Sequence, residues 1–77
     1  MDHEEALAAL GRGTLVDAVV MPAEDANGWV LAFGDAEGKQ HLYTDHTGTE
    51  KVYHDLDQAT AVARGIGFRT VRVEERF

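Results

Sequence analysis

Between Trp29 and Val73 the chain sets short apolar runs between glycine-containing turns, then a punctuated helix, then a Val-x-Val segment. This pattern leaves little freedom of fold. Trp29–Phe33, Lys39–Thr44 and Glu50–Tyr53 read as strands, because each is brief and bounded by turn residues. Asp35-Ala36-Glu37-Gly38 and His46-Thr47-Gly48-Thr49 are the turns between them. Trp29, Leu31 and Phe33 share one face by the two-residue period of a strand and form its inward side.

Before this region, Thr14–Met21 is rich in β-branched residues and also reads as a strand. Unbroken alternation puts Val16, Ala18 and Val20 on one face and Leu15, Asp17, Val19 and Met21 on the other. Both faces are partly apolar, so the strand is either covered on two sides or left with one side for a partner. Pro22 ends it, since proline cannot donate a ladder hydrogen bond. Asp25-Ala26-Asn27-Gly28 reads as the next turn.

Two helices complete the expectation. Asp2 caps the first and Glu5 completes a capping box, with Leu7 and Leu10 on one face and Gly11 or Gly13 at the end. The second starts at Asp55, with Asp57 opposing the positive end of the helix dipole. Leu56, Ala59, Val62, Ala63 and Ile66 form its apolar stripe, and Gly65 is read as its terminator. Phe68–Glu74 then forms the last strand, with Val71 and Val73 facing the core. The fold expected is α+β: a short N-terminal helix, a four-stranded antiparallel β-meander, one covering helix and a C-terminal fifth strand. Residues 1–77 make one small domain, with no repeat or linker to divide them.

Composition removes several classes of function. The chain has no cysteine and no serine, which excludes disulfides, cysteine zinc sites and the commonest nucleophiles. Its start is acidic, unlike an export signal, and no apolar run could span a membrane, so a cytoplasmic protein is expected. The formal charge is −7, which opposes binding to polyanions. The charge is uneven. Arg12, Lys39 and Lys51 face every acid but Glu74 and Glu75, whereas Arg64, Arg69, Arg72 and Arg76 follow residue 57.

Chemistry-bearing constellations are sparse. His41, His46 and His54 lie near Asp45 and Asp55 in sequence, but no spacing forces three ligands onto one point, and they read as exposed strand and turn residues. Gly11-Arg12-Gly13 and Gly65-Ile66-Gly67 punctuate helices and do not cradle phosphates. Tyr43 and Tyr53 would lie opposite Trp29 and pack across strands, in the place where RNA-binding sheets carry stacking aromatics. No catalytic, cofactor-binding or metal residues are assigned, and no enzyme activity is expected.

Gly28-Trp29-Val30-Leu31, Gly48, Val52-Tyr53, Leu56-Asp57-x-Ala59, Gly65-Ile66 and Val71-x-Val73 form a pattern over about residues 27–74. It resembles small accessory proteins of conjugative plasmids and integrative elements, including partition-associated ones. The shared features are a Trp-led hairpin, a turn glycine, an aromatic-x-x-Leu-Asp-x-Ala helix entry and a closing strand. The resemblance implies a role in mobile-element maintenance and transfers no active residues.

The function expected is a non-enzymatic protein-interaction or accessory module, acting through a homo-oligomer or a protein partner. Leu7, Leu10, Val16, Ala18 and Val20 are the interface candidates, since a small open sheet offers edges and apolar positions to another chain. The alternative is nucleic-acid binding through Arg64, Arg69, Arg72 and Arg76, or an acidic surface that imitates DNA.

Overall fold

The computed structural model describes residues 1–24 and 27–74. Helix α1 spans His3–Gly11, followed by strands β1 (Leu15–Pro22), β2 (Trp29–Asp35), β3 (Gln40–Leu42) and β4 (Val52–Tyr53). Helix α2 (Leu56–Ile66) and strand β5 (Val71–Val73) complete the α+β fold. No helix among the described residues is long and apolar enough to cross a membrane.

The caps form as the sequence implies. Asp2 Oδ1 accepts from the Glu5 amide at 2.9 Å, and Glu5 Oε1 accepts from the Asp2 amide at 3.1 Å. Asp55 Oδ1 accepts from the Asp57 amide at 2.8 Å and starts α2. The far end of α2 differs from expectation. Gly65 lies inside the helix, and Gly67, at φ +135°, is the cap whose amide bonds to Ala63 and Arg64 carbonyls. Of the two glycines at this end of α2, only Gly67 has the positive φ that such a cap requires.

The sheet is mixed, not a simple meander. β1 pairs antiparallel with β2 from Pro22↔Trp29 to Leu15↔Asp35, and β2 pairs antiparallel with β3. β5 adds to the other edge of β1 in parallel, giving the order β3-β2-β1-β5. β4 departs from the expected fourth position: it pairs with β2, through Trp29↔Tyr53 and Val30↔Val52. β3 and β4 therefore form one interrupted edge along β2. Residues 44–51 leave that edge as an excursion closed by the Thr44↔Glu50 bridge and resume pairing two β2 residues further on. The turn at Gly48 closes this excursion and does not join two neighbouring strands of a meander.

A bulge between Leu15 and Asp17 changes the faces of β1. The extra residue breaks the two-residue period, so Leu15 joins Ala18 and Val20 in the core while Val16 is turned outward. Both helices pack on this one side. Ala6 and Ala9 from α1 and Ala59, Ala63 and Ile66 from α2 meet Leu31 and Phe33 of β2. Small alanines let the helix backbones approach the sheet closely. Phe33 is held between Tyr43, edge-on at 5.5 Å, and Phe68, stacked at 5.3 Å. Val71 packs against this core, while Val73 at the end of β5 is exposed.

Candidate interaction surface

With both helices on the Ala18–Leu31–Phe33 side, alternation assigns the remaining side chains to a face that no described helix covers. Cross-strand partners share a face, and the pairings set two rows. Val52, Val30 and Met21 lie side by side, and Leu42, Ala32 and Val19 lie next to them. The centre of this patch is flat and closed, since Val19, Val30 and Ala32 are buried. Its outer members protrude: Leu42 is 40% exposed and Val52 36%. At one corner the Asp17 carboxylate leans over Gly34, and Arg72 Nη2 stands 3.9 Å from Asp17 Oδ2. Both side chains are about half exposed, so this pair fixes little by itself.

The expected interface residues do not form this face. Ala18 and Val20 are wholly buried under the helices and cannot meet a partner. Leu10 is half-buried and packs against the core, where its Cδ2 occupies the space beside Gly67. Leu7 and Val16 are exposed, one on α1 and the other on the β1 bulge. Leu42 and Val52 were missed because only the β2–β3 and β2–β4 registers together put them on one face. The apolar second side of Thr14–Met21 was the one available signal.

The aromatic residues are also placed differently from expectation. Tyr43 is buried on the helix side, and Tyr53 lies opposite Trp29 and packs against the same core. Among the described residues the helix-free face is therefore aliphatic apart from Asp17 and Arg72, without the stacking platform of an RNA-binding sheet. Burial first, and the neighbouring Tyr43 second, raise the Tyr53 hydroxyl above its ordinary pKa.

Of the four arginines considered, Arg69 and Arg72 line one groove together with Val16, Asp17, Phe68 and Thr70. Arg64 is exposed in the last turn of α2, and Arg76 lies outside the described residues. The histidines are dispersed. His41 Nε2 meets Asp35 Oδ2 at 2.9 Å, and His3 Nδ1 meets the Tyr43 hydroxyl at 3.0 Å. His46 and His54 are exposed. Among the described residues no three histidine or carboxylate side chains gather as a metal site requires.

Two aspartates have turn-closing roles. The His41 ring first, then the Lys39 and Glu37 amides, hold Asp35 below the usual carboxylate range against the opposing effect of burial. The Thr47 hydroxyl first, then the Thr49 and Thr47 amides, do the same for Asp45. Their acceptor oxygens are committed to these turns, which accounts for both residues without catalysis. The chain matches no protein-family model, no curated protein and no solved structure at significance.

Proposed function

We infer that the chain is a non-enzymatic interaction module that works as a homodimer, joined through the helix-free face of its sheet. The observation that carries this reading is the exposure of two aliphatic side chains, Leu42 and Val52, on the helix-free side, where they flank the buried Val19, Val30 and Ala32. Charge favours a second copy at this site. The chain carries −7 overall, yet the six aliphatic residues of the patch are uncharged. The charges beside them, Arg72 and Asp17, are of opposite sign, so two acidic molecules meet there with less repulsion than elsewhere. Strands about 4.8 Å apart give this face well under the roughly 800 Å² per partner of a standard interface. A weak, concentration-dependent dimer is the expected form. The resemblance over residues 27–74 supports an accessory role in the maintenance of a plasmid or other mobile element.

The test is a Leu42→Glu variant followed by sedimentation equilibrium. Leu42 is exposed, so the fold should tolerate glutamate while the dimer should not. A folded variant that associates like the parent would overturn the assignment of this face.

A further inference from the structure

A second surface lies at the opposite sheet edge and has a different chemistry. β1 begins at Leu15, but its pairing with β5 begins only at Ala18↔Val71. The start of β1 thus projects beyond its neighbour and leaves a groove of about 350 Å³ between the bulge and the approach to β5. Val16, 63% exposed on the bulge, is its apolar wall. Arg69 and Arg72 are its cations, and Phe68 contributes to the lining. The outer edge of β5 is paired with no described strand, so its backbone donors and acceptors are open beside the groove.

We propose that this groove and the free edge of β5 receive an extended acidic segment of a protein partner, which adds to the sheet as an outer strand. Backbone ladder bonds would give such a segment its affinity, and alternate side chains its specificity. An apolar side chain of the segment rests on Val16, and its carboxylates meet the guanidinium forks of Arg69 and Arg72. Asp17 stands near Arg72 and takes part of that cation's field, which leaves Arg69 the freer of the two. Glu74 lies at the far end of β5 and repels acids there. The segment's acidic residues are therefore directed to the groove end of the strand. A nucleic acid is less well suited, because it has no peptide backbone to continue the ladder at the free edge of β5.

The groove adjoins the helix-free face at Asp17 and Arg72. The titration is therefore made on the parent and on the Leu42→Glu variant, and binding by both separates this proposal from the dimer reading. The probe is a capped Val-Glu-Val-Glu-Val-Glu peptide, titrated to millimolar concentration into the full chain and followed by amide chemical shifts. Saturable shifts are expected for Val16, Asp17 and residues 69–74, with none on α1. An Arg69→Glu variant should weaken binding by about tenfold or more, since it reverses a charge that pairs with the ligand. An Arg69→Ala variant with a native-like spectrum guards against a folding defect and should weaken binding less. Absence of saturable shifts would overturn the proposal. So would equal binding of the matching Val-Lys peptide, or a single-stranded oligonucleotide that shifts the same amides more strongly.

Discussion

At the scale of single residues, the glycines differ sharply in what they tolerate. A Cβ at Gly28 would come within 2.6 Å of the Tyr53 carbonyl oxygen and 2.7 Å of a Val52 methyl. That neighbour is backbone of the β4 edge and cannot swing aside. Gly28→Ala should therefore lower stability by about 1–3 kcal/mol through strain. Gly65 has nothing within 4 Å and lies inside α2. Gly65→Ala should raise stability by about 0.5–1 kcal/mol, from helix propensity and reduced freedom of the unfolded chain. Urea midpoints compared with the parent check both, and opposite signs would contradict these placements. The Gly65 result also shows where local reading ran short. Gly65-Ile66-Gly67 contains two eligible terminators, and choosing between them depends on Ile66 being buried against the sheet.

Elements were legible where their signals are local. Both N-caps and the Asp35–Gly38 turn follow from side chains within a few residues of each other. The stripe from Leu56 to Ile66 is a helical period that needs no other partner to be read. The β4 partner and the Val16 bulge were not legible, because each depends on register across the sheet. A single bulge moves Leu15 to the core face, and the 44–51 excursion returns the chain to β2 without adding a new column. The turns in these elements have a pH signature. Asp35 and Asp45 both have folded-state pKa values lowered from 3.8, so their carboxylates contribute stability above that value. That contribution is lost as pH falls through the lowered folded values. Thermal midpoints should decline on acidification below about pH 4, near the unfolded aspartate value. An Asp35→Asn, Asp45→Asn variant should show a shallower acid limb. An identical limb in parent and variant would contradict the assigned turn roles.

On the scale of the whole molecule, the sheet has one side packed by helices and one side that no described helix covers. The two helices cover one side of the sheet, the Leu42–Val52 patch occupies the other, and the patch residues are uncharged. The first helix was expected to dock either on the chain's own sheet or on a partner. Ala6 and Ala9 in the core place it on its own sheet. The second side is therefore the surface proposed for assembly, in keeping with the two-sided hydrophobicity of Thr14–Met21. Two copies of net charge −7 repel through the rest of their surfaces. Added salt should screen this repulsion over a Debye length of about 10 Å at 0.1 M and strengthen the dimer. Association driven by opposite charges would show the reverse dependence.

The most direct test of the central claim is light scattering coupled to size exclusion over a protein concentration series, at low and high salt. The parent chain should move from 8.4 kDa toward twice that mass as concentration rises, and further at high salt. A folded Leu42→Glu variant should stay at 8.4 kDa throughout. A parent that remains at 8.4 kDa under every condition, or a variant that dimerises like the parent, would contradict assembly through the helix-free face.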